Sequence, residues 1–368
     1  MKLGIIGLPQ CGKTTLFNVL TGGKKTTTYH IRGGSQVQIH TAVVDVPDHR
    51  VDWLSQHYCP KKTTYAKITF QDISSVETNQ GAFSPTLLHA LSQVQGFVHV
   101  VRTFQEQSVA NPLTPMDATT AISTIQNEFV LNDMITVERK LQGLKLEWSK
   151  GGGRDRITIE REQRLFTHLK TALEDGQSLI EHELSVEDSR LLSGFGLLTR
   201  KPMLLILNSD EEESNPEKIL DPEVVLTYKQ NILIFMGKLE MEIAQLDDKD
   251  AALFRKEYSI SEPGLTRVIK RAYEMLGLHS FFTVSEDEVR AWPLRYGFSA
   301  IKAAGTIHSD MQAGFIRSEV MPFANLQQLG SEASMKSSGK WRLEGKNYVV
   351  QDGDILRIRF SPPAQKQV

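Results

Sequence analysis

The sequence predicts an α/β protein built on a largely parallel sheet, and three observations carry that expectation. A short apolar run, KLGII, enters a glycine-rich loop, GLPQCGKTT (7–15), which opens directly onto a helical stretch. Four further segments rich in β-branched and aromatic residues follow it: AKITFQDIS (66–74), GFVHVVRTF (96–104), PMLLILNSD (202–210) and NILIFMG (231–237). Helical stretches separate them, which is the alternation of a parallel sheet covered by helices on both faces.

The first element is a strand, with Leu3, Ile5 and Ile6 as its buried side chains, and the loop after it is built for phosphate. Gly7-Leu8-Pro9-Gln10-Cys11-Gly12-Lys13-Thr14 fits G-x-x-x-x-G-K-[ST]. Glycines let the backbone curl so that successive N–H groups converge on phosphate oxygens. Lys13 is placed to meet the β- and γ-phosphates of ATP or GTP, and the Thr14 hydroxyl to bind Mg²⁺. The helix beginning near Thr15 adds its positive end. Lys13 is expected to face solvent from the loop itself. Cys11, in mid-loop, reads as a small apolar filler, with a redox-sensing thiol as the other reading.

Ligands of such sheets bind at the carboxyl ends of the strands, and two polar residues fall there. Asp72 is positioned to hold Mg²⁺ through water, so Lys13, Thr14 and Asp72 are the candidate catalytic residues, with Thr14 and Asp72 at the metal. Asn208-Ser209-Asp210-Glu211 stands where guanine-specific proteins carry Asn-Lys-x-Asp. Glu211 is one methylene too long for that role, and Ser209 lacks the lysine stem that packs on the base. Losing a bidentate contact to a charged group costs about 1.5–3 kcal/mol, enough to erase a guanine preference. An acidic loop that is merely solvated is the other reading of this stretch. Met236 and Gly237, after the last strand, complete the candidate nucleotide-binding set.

Between the strands at 96–104 and 202–210 the apolar spacing becomes heptad-like. Val130, Met134, Val137, Leu141, Leu144 and Trp148 form one stripe, and Ile159, Phe166, Leu169, Leu173 and Ile180 form another. Gly151-Gly152-Gly153 separates them, which predicts an antiparallel coiled-coil hairpin with its tip near 149–156. Between Arg139 and Arg164 there are eight Lys/Arg against four acids, a local excess of four that suits RNA phosphate; a solvated helical surface is the alternative. From about Leu278 onward, short strand-like pieces predict a compact sheet with a helix. His279 and His308 have no chemical partners nearby in sequence and read as structural. The expected domains are therefore 1–129 plus 201–277 for nucleotide, 130–200 for the helical insertion, and 278–368 for a C-terminal α+β module.

Composition narrows the setting. A net charge of −2 predicts no general attraction to nucleic acid or membrane, so such binding must come from local patches. Two cysteines, Cys11 and Cys59, exclude a disulfide framework or a cysteine-built zinc site and fit a reducing cytosol. No apolar run approaches the roughly 18 residues of a membrane span, and the strand that opens the chain leaves no room for a signal peptide. The expectation is a cytoplasmic, monomeric protein.

Longer stretches resemble the Obg-like ATPase (YchF) family of P-loop NTPases. They include GLPQCGKTTLFNVLT (7–21), VVDVPDHRVDWLS (43–55), PKKTTYAKITFQDIS (60–74), FVHVVRTF (97–104), NSDE (208–211) and EPGLTRVIKRAYEMLGLHSFFT (262–283). The C-terminal run GFIRSEVMPFANLQQLGSEA continuing to GKWRLEGKNYVVQDGDILRIRF (314–360) is the most specific. The resemblance implies a nucleotide domain with a helical insertion, a C-terminal TGS domain, ATP preferred over GTP, and the ribosome as partner. The chain departs from the family at the second switch, which reads Asp72-Ile73-Ser74-Ser75-Val76 where Asp-x-Ala-Gly-Leu is usual. Ser75 restricts a backbone flip that glycine permits, and the loop after it has lost most of its glycines. The first switch (24–40) lacks the family's Pro-Phe-x-Thr and leaves Thr26, Thr27 and Thr28 undistinguished as its Mg²⁺ ligand. Two functions follow: an ATPase that is slow alone and stimulated by a partner, or a nucleotide-gated binding protein with little turnover.

Overall fold

The computed structural model describes residues 1–22, 27–31, 37–74, 83–104, 117–151, 153–210, 215–257 and 262–361. The strands among the described residues are β1 (Lys2–Ile6), β2 (Thr27–Ile31), β3 (Val37–Asp45), β4 (Lys62–Thr64), β5 (Lys67–Ser74), β6 (Gly96–Arg102), β7 (Met203–Asn208), β8 (Ile232–Phe235), β9 (Leu278–Val284), β10 (Glu288–Arg295), β11 (Phe315–Pro322), β12 (Arg342–Glu344) and β13 (Asp354–Phe360). The chain divides into two compact units, Met1–Ala42 with Thr69–Leu265 and Val43–Ile68 with Thr266–Val368.

The first unit is organised by a seven-stranded sheet in the order β2-β3-β5-β1-β6-β7-β8. β1 pairs in parallel with β5 and β6, β6 with β7, and β7 with β8, whereas β2 and β3 are antiparallel. The central strands are apolar runs because helices cover both faces. Phe97, Val98, Val100 and Val101 of β6 and Leu204 to Leu207 of β7 are all buried. All four β-type segments anticipated from sequence are strands. Register sets the active edge, with Ile5 opposite Asp72 and Arg102 opposite Asn208.

The helical hairpin consists of Ala118–Lys150 and Arg156–Glu174. Asp117 and Asp155 cap the two N-termini by accepting from the Thr120 and Thr158 amides, which satisfies otherwise orphaned donors. Gly151, in the left-handed region at φ 64°, ends the first helix. Val137, Leu144, Ile159, Phe166, Leu169 and Leu173 are buried together, with Val130, Met134 and Leu141 packed against them. The two end positions of the anticipated stripes lie outside this core: Trp148 and Ile180 are exposed. Trp148 instead lies beneath the Arg156 guanidinium, 5.3 Å from its ring centre. One polar residue locks the hairpin to the returning chain. Asp133, buried in the first helix, accepts from the amides of Leu198 and Thr199 and from the Thr199 hydroxyl at 2.7–2.9 Å.

The second unit is a six-stranded mixed sheet, β12-β11-β13-β9-β10-β4, with helices including Gly264–Met275, Ala300–Ile307 and Phe323–Leu329. The sequence boundaries put residues 43–68 in the nucleotide domain, but they pack with the C-terminal residues. β4 adds to the sheet edge by pairing with β10, Lys62 opposite Glu288. Arg50 bridges Asp48 and Asp352 at 2.7–3.2 Å, and Tyr58 donates to Glu332 at 2.8 Å. The Trp53 ring meets the Phe323 ring edge-on at 5.4 Å. Apart from the Arg50–Asp48 pair, these contacts span more than 200 residues of chain, and no local periodicity announces them. His279 is buried and stacked on Tyr296, and His308 accepts from the Asp310 amide at a helix start, so both act structurally. Among the described residues no helix is long and apolar enough to cross a membrane.

Candidate nucleotide-binding site

The loop from Gly7 to Thr14 joins β1 to the helix Lys13–Thr21, and its two glycines are sterically required. At Gly7 (φ 151°) a Cβ would fall 2.4 Å from the Val100 carbonyl oxygen, and at Gly12 (φ 102°) 2.2 Å from Asn208 Nδ2. Gln10 also takes a left-handed conformation, φ 60°, the local strain typical of a ligand-binding turn. Gly12 caps the helix without any side-chain hydrogen bond, and no acidic residue occupies the first turn. The helix therefore presents free N–H groups and the positive end of its dipole to an anion.

Lys13 departs from expectation. It is half-buried, not solvent-facing, and its Nζ donates to the carbonyls of Gly7 at 3.0 Å and Leu8 at 2.8 Å. A flexible lysine stem beside unsatisfied loop carbonyls folds back onto them. Phosphate oxygens must therefore displace those two bonds. Cys11 is buried with its thiol pushed up by burial, against the pull of the Lys13 charge. An inaccessible, protonated thiol is the small packing group of the two readings offered by sequence.

Asp72, near the end of β5, is buried, and burial pushes its carboxyl up. Three neighbours oppose that: the Lys13 charge, His40, and a hydrogen bond from the Thr14 hydroxyl. Its Oδ1 has no hydrogen-bond partner. A buried, unpaired carboxylate oxygen beside a threonine hydroxyl and a lysine fits a magnesium ion, which takes one or two protein oxygens and draws the rest from water and phosphate. Among the described residues no cluster of three or more His, Cys, Asp or Glu could hold a metal unaided.

Asn208 closes the other side of the loop. Its Nδ2 donates to the Cys11 carbonyl at 3.0 Å, its Oδ1 accepts from the Gly237 amide at 3.1 Å, and its own carbonyl accepts from Thr103. The side chain therefore ties the phosphate loop to the turn after β8. Gly237 serves as partner to this clamp, and Met236 packs with Leu239, Ile243 and Ala251 beneath it. Ser209 is buried, its amide bound to the Phe235 carbonyl. Glu211, Ser75, Val76 and Thr26 lie outside the described residues, and the side chains of Thr27 and Thr28 are likewise not described.

A cleft of about 510 Å³ opens along this edge, lined by Gln10, Gly12, Lys13, Thr14, Thr15, Phe104, Asn208, Ser209, Asp210, Lys238 and Met241. Of the sequence-derived set, the structure brings Gln10 to Thr15 (apart from buried Cys11) and Asn208 to the cleft wall. Leu8 instead packs into the apolar layers behind the sheet. Phe104 and Met241 were missed. The Arg102 guanidinium covers one face of the Phe104 ring at 4.4 Å, a fixed platform suited to an aromatic base. Its signal in the sequence was an aromatic residue just beyond the carboxyl end of a central strand. His99 was missed as well. It is fully buried on β6 with both ring nitrogens unpaired, and burial with the nearby Lys13 charge pushes it down to about 3.

A glycine-bent loop between strand and helix, its lysine, a threonine–aspartate pair, and a clamp from a neighbouring strand end define a P-loop NTPase. Residues 278–361 match the family profile of the C-terminal domain of YchF GTPases, described as a protein of unknown function (DUF933). The chain is 35% identical to the ribosome-binding ATPase YchF of Bacillus subtilis (strain 168), over 98% of this chain and 99% of that protein. It is 33% identical to Obg-like ATPase 1 of Oryza sativa subsp. japonica, over 98% of this chain and 92% of that one. The solved structure of the Schizosaccharomyces pombe YchF GTPase superposes with a TM-score of 0.82 at 26% identity, covering 98% of this chain and 97% of the other. The chain belongs to the YchF (Obg-like ATPase) family.

Proposed function

We propose that this protein binds ATP in preference to GTP with Mg²⁺, hydrolyses it slowly alone, and turns over faster on the ribosome in the cytoplasm. The observation that carries the catalytic part is the Thr14–Asp72 pair, with its unpaired buried oxygen, beside Lys13. Phosphoryl transfer asks the protein mainly for positioning and charge. Loop amides and the helix terminus would hold the phosphates, Lys13 would exchange its two carbonyl partners for phosphate oxygens, and Thr14 and Asp72 would hold the metal. Bound Mg²⁺ supplies neutralisation of the charge on the β- and γ-phosphates. The base would lie against Phe104, and the replacement of Asn-Lys-x-Asp by Asn208-Ser209-Asp210-Glu211 supports adenine. Slow intrinsic chemistry follows from Ser75 and Val76, which do not supply a water-orienting group.

The relatives named as ribosome-binding ATPases support the partner. So does the hairpin tip. Of the eight basic residues between Arg139 and Arg164, Lys140, Arg154, Arg161 and Arg164 form ion pairs, while Arg139, Lys145, Lys150 and Arg156 are exposed without an acidic partner among the described residues. Exposed Trp148 and Ile157 lie among them, a basic surface with aromatic character suited to RNA. The test is equilibrium titration of ATP and GTP with and without Mg²⁺, then single-turnover hydrolysis with and without ribosomes. A strong GTP preference overturns the base assignment. Turnover that ribosomes do not raise overturns the partner assignment and favours the nucleotide-gated binding protein.

A further inference from the structure

We propose that His40 is a positioning residue of the magnesium–phosphate site, holding the Asp72 carboxylate toward the metal; this rests on the nucleotide reading above. Three observations place it there. β3 and β5 are neighbours in the sheet, and Gln71 Nε2 donates to Thr41 Oγ1 at 3.2 Å, so the side chains of 41 and 71 share one face. Strand side chains alternate, which puts His40 and Asp72 together on the opposite face. That is the face of the phosphate-loop helix. The Phe17 ring lies 6.3 Å from the His40 ring at a 49° tilt, and Phe17 follows Thr14 by one helical turn. Thr14 in turn donates its hydroxyl to Asp72. Phe17 therefore fixes the imidazole from one side, while the carboxylate that Thr14 touches lies on the side of β5.

The chemistry follows from what Asp72 lacks. Its Oδ1 has no hydrogen-bond partner, and the metal role requires that oxygen to keep a fixed orientation. An imidazole facing the carboxylate supplies a donor in the place where partners that orient metal-holding carboxylates are found. Lys13 must exchange its two carbonyl partners for the phosphates, whereas His40 is anchored on a strand and remains. The residue is therefore required for metal-assisted binding and not for the metal-free grip of the loop.

The test uses the full chain and isothermal titration of ATP in excess Mg²⁺ and in EDTA, for the wild type and for His40→Ala, His40→Phe and His40→Gln. The ratio of the two affinities measures the metal's contribution. His40→Ala and His40→Phe are expected to reduce that ratio about tenfold while leaving the EDTA affinity unchanged, and His40→Gln, which retains a donor, to recover most of it. His40→Phe keeps a ring against Phe17, so it separates packing from donation if the alanine variant is poorly folded. An unchanged ratio, or equal losses with and without Mg²⁺, overturns the role of His40 alone. If the wild type binds no ATP under either condition, the nucleotide reading falls, and the role of His40 with it.

Discussion

Replacing Asn208 separates a clamp on the phosphate loop from a reader of the base. In Asn208→Ala the Gly237 amide loses its acceptor at 3.1 Å and the Cys11 carbonyl loses its donor at 3.0 Å. Each buried backbone group left unpaired costs roughly 1–3 kcal/mol, so the pair comes to about 2–4 kcal/mol once partial relaxation is allowed. If about 2 kcal/mol of this is lost from the binding-ready loop, the Kd rises about thirtyfold. Because the clamp holds the phosphate loop, ATP and GTP should weaken together. Asn208→Asp sharpens the expectation despite its near-identical shape. It keeps an acceptor for Gly237 but turns an oxygen toward the Cys11 carbonyl and buries a negative charge beside the phosphates, so its loss should exceed that of alanine. Calorimetric titration of both nucleotides against the three proteins, with thermal melts as a folding control, reads the outcome. Weakening confined to one nucleotide, or an aspartate variant that binds better than alanine, would refute the clamp.

Lys13→Ala should lower ATP affinity by at least tenfold while leaving thermal stability nearly unchanged, since the lysine's two carbonyl bonds (3.0 and 2.8 Å) are half-exposed to water; retained affinity would remove the basis for the site. His99 sits at about 3 when folded against an ordinary 6.5, so the unfolded chain takes a proton that the folded chain refuses. Stability is therefore complete above about pH 6.5 and falls as pH drops toward 3, by about 3 kcal/mol at pH 4.5. Urea unfolding of the nucleotide unit's transition at pH 7.5 and 4.5 should show His99→Leu losing less than the wild type, and identical losses would show that this histidine is not the group responsible. Ser75→Gly should change single-turnover hydrolysis more than ATP affinity, because binding relies on the loop from Gly7 to Thr14; a change confined to affinity contradicts that division.

What could be read without tertiary structure was whatever neighbours in sequence enforce. The loop from Gly7 to Thr14 is such a case, because its glycines, lysine and threonine act within one turn of chain. The strands around Phe97, Leu205 and Ile232 are another, since double-sided burial writes a continuous apolar run. The hairpin was legible for the same reason, apart from its ends: Trp148 lies where the partner helix no longer covers it, and Ile180 falls beyond the second helix, which ends at Glu174. Asp72 could be placed at a strand end by counting, but its unpaired oxygen could not. Folding alone decided the rest. Asn208 became a clamp because the parallel strands β1, β6, β7 and β8 end on one edge, which brings the Cys11 carbonyl and the Gly237 amide to its two ends. Phe104 and Met241 became cleft walls only when separate strands and a helix converged. Residues 43–68 joined the C-terminal unit because Lys62 finds Glu288 and Arg50 finds Asp352. Such contacts depend on which distant surfaces meet, and a sequence records only the surfaces.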